Sequence, residues 1–289
     1  MLVTILEIVI LGLLLGGLYA LIAMGLSLQY GVTRILNISH GEFIMLGALT
    51  TWTLQGTLGI NPLLALAICG PLAFILGFIL HRTLFRYLLS SSTSSDIFEA
   101  NSMLASFGLF FVIQNLALIV WGPEIRGYSY LAFPVEIAGA LFGANRLVTA
   151  GFAIVIGTAF YLFLARTRMG KAIRSAAQDP TTAGLMGVNI DQVLALCFGF
   201  GGAMAGIAGM LISMVYPVHG VMGLEYTVIA IIVVVLGGLG SIPGSFIGGF
   251  LLGIIGSIVT YIDPGLSLVA YYLIFTILLL VRPTGIMGK

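Results

Sequence analysis

Charge is scarce in this chain, so the places where it collects are the places where chemistry is possible. Of 289 residues, 60% are hydrophobic and only 7% are charged. An ionisable side chain beside a lipid-spanning run is a functional candidate by default, because burying charge in hydrocarbon is costly. The first such place is Gly31–Glu42, GVTRILNISHGE, which interrupts two apolar runs. Arg34, Asn37, Ser39, His40 and Glu42 could line a wet cavity there, with Gly41 between the last two. Glu42 stands at the N-terminal end of the second run, where the positive end of a helix dipole stabilises a carboxylate. An ordinary cytoplasmic turn with a helix cap accounts for the same residues, and the sequence leaves both readings open.

The second place is Val235–Gly244, VLGGLGSIPG, where Gly237, Gly238, Gly240 and Gly244 join Pro243. Glycine-rich backbone cradles phosphate in P-loops, but that loop needs Gly, four residues, then Gly-Lys-Ser/Thr. The only Gly-Lys pairs are Gly170-Lys171 and Gly288-Lys289. The first has Ala165 and Ala172 where Gly and Ser/Thr are required; the second is followed by no hydroxyl residue. ATP binding by a P-loop is thereby excluded. The glycines instead permit close helix packing or a helix break near a pore.

The third place is Arg166–Asp191, RTRMGKAIRSAAQDPTTAGLMGVNID, which holds Arg166, Arg168, Lys171 and Arg174 of the chain's eleven Lys and Arg. So basic a loop between apolar runs belongs on the cytoplasmic side. It is also patterned. Ala172, Ile173, Ala176 and Ala177 recur at helical spacing. Asp179 before Pro180 reads as an N-cap followed by proline at the first helical position. Gly184 and Gly187 suit the end of a second short helix. A solvated loop that only sets topology explains the charge; it does not explain two helices lying across one face.

No Ser/His/Asp set, metal spacing or paired carboxylate stands out, so no catalytic residue, metal site or cofactor is expected. A net charge of +1 gives no nucleic-acid signal. Cys69 and Cys197 lie in apolar runs as small core residues. His219-Gly220 with Glu225 faintly echoes His40-Gly41-Glu42, an echo that chance explains more readily than duplication.

The elements that must position these groups are membrane spans. Apolar runs lie near 5–30, 42–58, 62–82, 100–121, 147–166, 191–216, 224–240, 243–262 and 266–282, each close to the ~20 residues a crossing needs. The expected fold is an all-α polytopic membrane bundle of about 8–9 transmembrane helices, one domain over 1–289, with cytoplasmic helices at 166–191. The run at 224–240 is short and glycine-terminated, as a broken or re-entrant helix would be. His81, Arg82 and Arg86 end the third run, and Arg282 and Lys289 follow the last. Nine crossings place these and the basic loop inside, and the chain's start outside. The long loop at 122–146 then falls outside, with Trp52, Trp121, Tyr128 and Tyr130 near the outer ends.

Three stretches together resemble the membrane subunit of bacterial branched-chain amino-acid ABC importers, the first of its two permease types. They are GLSLQYGVTRILNISHGEFIMLGA (Gly25–Ala48), RMGKAIRSAAQDPTTAGLMGVN (Arg168–Asn189) and VLGGLGSIPGSFIGG (Val235–Gly249). ASFGLFFVIQN, Ala105–Asn115, also resembles the family's fourth span. The family's front segment reads close to N-F-A-H-G-E; here Ile38 and Ser39 replace the middle pair. The resemblance implies a multi-pass protein of a prokaryotic inner membrane. Its implied partners are a second related permease, two ABC ATPase subunits and an external substrate-binding protein, with lipid around them. It also implies that the basic loop inserts into an ATPase cleft, with Gly170, Ala177, Asp179 and Gly187 fixing its geometry and Lys171 and Arg174 touching the partner. Similar permeases carry urea or short amides, so that cargo stays open. A rival reading is a proton- or ion-coupled secondary transporter using His40, Glu42, His219 and Glu225.

Overall fold

The computed structural model describes residues 2–282 and 284–288; Lys289, counted above among the basic residues after the last span, lies outside them. Hydrocarbon offers no partner to a backbone N–H or C=O, so the apolar runs must become helices. They are α1 (Leu2–Thr33), α2 (His40–Leu58), α3 (Leu66–Leu80), α4 (Arg86–Ser91), α5 (Ser95–Trp121), α6 (Ala144–Arg166), α9 (Ile190–Ser213), α10 (Gly223–Gly237), α11 (Ile242–Ile262) and α12 (Ser267–Val281). The basic loop supplies α7 (Arg168–Gln178) and α8 (Pro180–Leu185). Seven helical stretches among the described residues are long and apolar enough to cross a membrane, and Gly223–Gly237 is a shorter apolar helix. The chain is an all-α polytopic membrane bundle.

Two features depart from the expected pattern. The third span does not end at the basic residues near 82: a π turn, His81–Phe85, carries it on to Ser91. The widened turn keeps His81 and Phe85 both facing Phe198, with the Phe85 and Phe198 rings 4.8 Å apart. Arg82 stays on the helix by laying its guanidinium over the Phe78 ring at 5.0 Å. The long 122–146 loop, in turn, folds into a hairpin, β1 (Pro134–Ile137) antiparallel to β2 (Ala140–Gly143). Its two turn residues, Ala138 and Gly139, both have positive φ, as a two-residue hairpin turn requires.

Close packing rests on small residues. A Cβ on Gly253 would stand 2.4 Å from the backbone of Gly16, and one on Gly12 would stand 2.7 Å from that of Ile254. Gly12 with Gly16, and Gly249 with Gly253, each repeat at four-residue spacing, so α1 and α11 press together along two glycine ridges. α9 sits in the middle, with Gly206 against Gly47 of α2 and Cys69 of α3. The basic loop lies at one end of the bundle. At the opposite end Trp121 Nε1 donates to Thr53 Oγ1 at 2.8 Å, and Tyr128 and Ser213 share a hydroxyl hydrogen bond of 2.8 Å. There Arg126 pairs with Val218 through its backbone and lies over the Trp52 ring at 4.4 Å.

Candidate functional site

The front interruption is a re-entry of the chain into the bundle. α1 stops at Thr33, and Arg34 turns the backbone at φ 58. Non-helical backbone then runs back to His40, where α2 begins. Its depth follows from the neighbours. The His40 ring comes within 3.2 Å of where a Gly25 Cβ would be, and the same Cβ would stand 2.8 Å from the carbonyl of Gly201. Gly201 lies midway along α9, so α2 starts near mid-bundle.

Such backbone is tolerated at membrane depth only where protein groups satisfy it, and here they do. Gln29 donates to the Phe198 carbonyl at 3.0 Å and accepts from Asn37 at 3.3 Å. Asn37 Oδ1 accepts from the Ser39 amide and hydroxyl at 3.1 and 2.7 Å. Ser106 of α5 accepts the Ile38 amide at 3.1 Å. Thr227 of α10 accepts the Gly41 amide at 2.8 Å and donates to the Ile38 carbonyl at 3.0 Å. His40 Nε2 lies 3.1 Å from the Ile22 carbonyl, so its N–H donates there.

Asn37, His40 and Glu42 are all fully buried. Glu42 lies against the start of α10: a Cβ on Gly223 would meet its Oε1 at 2.1 Å. The carboxylate thus stands where two helix N-termini, α2 and α10, converge. Among the described residues neither of its oxygens has a hydrogen-bond partner. A Cβ on Gly41 would fall 1.8 Å from the Gly223 carbonyl, so glycine at both positions lets α2 and α10 touch.

The glycine run ends α10 and turns the chain into α11. Gly238 and Gly240 adopt φ 104 and 78, and Gly237 sits so close to Gly244 that a Cβ would approach its carbonyl carbon to 2.3 Å. The segment after α12 folds back over this end: Ile286 and Met287 donate to the Leu236 and Gly237 carbonyls. Gly240 also abuts Gly31 of α1. The front and back interruptions therefore meet through α10, whose first turn touches Gly41 and Glu42 and whose last turn leads to the base of α1.

The basic loop holds α7 and α8 across the end of the bundle. Thr167 caps α7 by accepting the Gly170 amide at 3.0 Å. Ile173 and Ala176 are buried, whereas Lys171, Asp179 and Pro180 are exposed. Gly170 packs on α6, where a Cβ would meet the Leu164 carbonyl at 2.1 Å. Ala177 is half-buried, and Gly187 takes φ 86 after the end of α8. Asp179 accepts the Thr181 and Thr182 amides at 2.9 and 3.1 Å. Its bonds to Thr182, side chain first, hold its carboxyl below its ordinary value. Arg174 is exposed but not free, since it donates to the Leu164 carbonyl at the end of α6. Arg34, the remaining charge of the front segment, is exposed.

Two cavities flank α1. One of about 510 Å3 at the basic end is lined by Ser27, Gly31, Ile173, Arg174, Gly240 and Pro243. One of about 410 Å3 at the opposite end is lined by residues of α1, α10, α11 and α12 and of the loop before α10, with Glu225 on α10 and His219 in that loop. Between their levels α1 is buried without a break from Leu18 to Gln29.

Residues 8–282 match the family described as branched-chain amino acid transport system / permease component. The chain belongs to this family. It is 31% identical to the high-affinity branched-chain amino acid transport system permease protein LivH of Salmonella typhimurium, covering 96% of this chain and 94% of that one. It is 29% identical to the corresponding BraD protein of Pseudomonas aeruginosa, with the same coverages. A protein of Methanocaldococcus jannaschii described as a probable branched-chain amino acid transport permease, LivM, is 24% identical over 80% of this chain and 75% of its own. The secondary-transporter reading gives way to this membership. For a branched-chain amino-acid permease, the sequence reading missed Gln29, Ser106, Thr227 and Gly223, which support the named residues. Gln29 and Thr227 are polar side chains within apolar runs, and that was the available signal.

Proposed function

We propose that this chain is the membrane-spanning permease subunit of an inner-membrane ATP-binding-cassette importer for branched-chain or similar hydrophobic amino acids. ATP is hydrolysed on separate chains, and this one performs no catalysis. The α7–α8 pair carries the reading: a packed amphipathic platform at the basic end of a family member fits the role of a docking element for an ATPase. In this role Gly170, Ala177, Asp179 and Gly187 set the platform's shape, while Lys171 and the edge of Arg174 face the ATPase. A second, related permease completes the path, and the likeness to a protein named LivM beside those named LivH and BraD supports that pairing. Two ATPases and an external binding protein complete the assembly. Asn37, His40, Gly41, Glu42, Gly237, Gly238 and Gly240 form the hinge of the path, where two interrupted helices move against each other. The amino-acid cargo is favoured over urea or short amides by the names of the relatives.

The test is ATPase activity of the complex in nanodiscs, with and without loaded binding protein, alongside co-purification of the subunits. Lys171→Glu is the cleanest variant, because an exposed charge change shifts stability by about 0.5 kcal/mol or less. It is expected to weaken ATPase docking by repelling a complementary surface. Arg174→Glu also removes the bond to Leu164, and Pro180→Gly loosens the start of α8, so both are expected to impair coupling. Normal assembly and normal stimulation in all three would reduce the platform to a topology signal.

A further inference from the structure

We propose that the cavity at the end opposite the basic loop is a binding site for a zwitterionic amino acid, in which Glu225 takes the ammonium group and His219 the carboxylate. The proposal deepens the importer reading and rests on it for the class of ligand. At about 410 Å3 the cavity suits a small molecule, since such sites span roughly 300–1,000 Å3. It is bounded by the loop between α9 and α10, the first turns of α10, the end of α11 and the start of α12.

Its polar groups are few and of two kinds. The chain holds three histidines and ten acidic residues, yet one of each lines this one cavity. Among the described residues neither Glu225 nor His219 forms an ion pair, and neither side chain has a hydrogen-bond partner within the protein. Glu225 is exposed and His219 half-buried, so both are accessible to a ligand entering the cavity. Beside them stand Tyr19 and Tyr271, whose hydroxyls lie 3.3 Å apart and whose rings meet edge-on at 6.1 Å. Tyr216 and Tyr226 also line the space. Tyrosine faces attract a cation and tyrosine hydroxyls donate to a carboxylate, so the wall serves both ends of a zwitterion. Leu15, Leu18 and Ile229 supply an apolar floor for an aliphatic side chain. A free fatty acid would leave Glu225 facing a like charge, and an alkylamine would leave His219 without an acceptor.

The site also adjoins the hinge. Glu225 lies two residues beyond Gly223, the glycine against which Glu42 packs. A ligand held by Glu225 therefore bears on the first turn of α10, at the contact with α2.

The experiment uses the full chain in nanodiscs, alone and in the complete complex, and a diazirine analogue of leucine as photoprobe. Label is expected on peptides spanning 216–226 and 260–271. Leucine should displace it, whereas 4-methylpentanoate, lacking the ammonium, and 3-methylbutylamine, lacking the carboxylate, should not. Glu225→Gln and His219→Phe should each raise the leucine concentration needed for displacement about tenfold, the scale of losing a hydrogen bond to a charged group. Label that leucine does not displace, or that spreads over α5 and the outward face of α12, would overturn the site. Equal displacement by 4-methylpentanoate would overturn the role of Glu225, and this comparison on the wild-type chain stands even where a variant fails to fold. Leucine uptake by the complete complex is measured separately. Displacement without uptake would count against the importer while supporting the site; uptake without displacement would count against the site alone.

Discussion

Thr227 illustrates how much can hang on one hydroxyl in a membrane. It accepts from Gly41 and donates to Ile38, so it ties α10 to the re-entrant chain. Thr227→Val keeps the shape and strands a buried amide, a loss of about 1–3 kcal/mol. The expected result is a lower melting temperature for Thr227→Val, with Thr227→Ser close to the wild type. Equal melting of both variants would show that the hydroxyl holds nothing. Gly41 gives a steric counterpart. Gly41→Ala would drive a methyl into the Gly223 carbonyl, whereas a Cβ at Gly56 meets nothing within 4 Å. Gly56→Ala is expected to be neutral or slightly stabilising, since alanine favours a helix over glycine by about 1 kcal/mol. Gly41→Ala is expected to lower folded yield sharply, and similar yields would remove the case for contact between α2 and α10. His40 and Glu42 were legible in the sequence because they are ionisable where the chain is apolar. Thr227 gave only a weak signal, because a threonine in a transmembrane run usually bonds only its own helix.

At the scale of elements, α7 and α8 were the most legible part of the chain, and α9 and α12 the least. The loop helices meet water on one side, so their buried and exposed faces differ in residue type. The spans meet lipid, which is as apolar as the interior, so periodicity carries little about which face is inside. α9 is mostly buried and α12 almost wholly exposed, with similar hydropathy. Glycine spacing was the better guide, as the ridges between α1 and α11 show. For α8 the cap gives a pH dependence. Asp179 has a folded pKa below its ordinary value of 3.8. Its stabilising effect is therefore fully present above that value and is lost as pH falls through the lowered one. The protection of the Thr181 and Thr182 amides against hydrogen exchange, taken relative to their intrinsic rates at each pH, should fall on acidification through that window. Asp179→Asn, which keeps an N-cap oxygen without a titrating group, should show no such step; a step that persists in this variant would assign the effect to another group.

The whole molecule makes a prediction about sidedness. Thr93 and Gln178 lie toward the basic end and Ser129 at the other, all exposed. Cysteines placed at Thr93 and Gln178 should react only with reagents that reach the cytoplasm, and one at Ser129 from outside. Cys69 and Cys197 are buried and stay silent in such an assay. External labelling at Gln178 would invert the orientation. The span order and the two interruptions were readable from hydropathy and glycine, but the hairpin in the 122–146 loop carries no Asn-Gly or Asp-Gly turn to announce it. The pairing of α1 with α11 has a further consequence, which concerns synthesis. Ser257 of α11 donates to the Ile8 carbonyl of α1 at 2.8 Å within this packing, and the two are separated by 249 positions. At ribosomal speeds of about 5–20 residues per second, α1 enters the bilayer roughly 12–50 s before α11 can cover its glycine ridge. During that interval Gly12 and Gly16 face lipid or whatever insertion factor shields them, so the newborn first helix waits with its packing ridge uncovered.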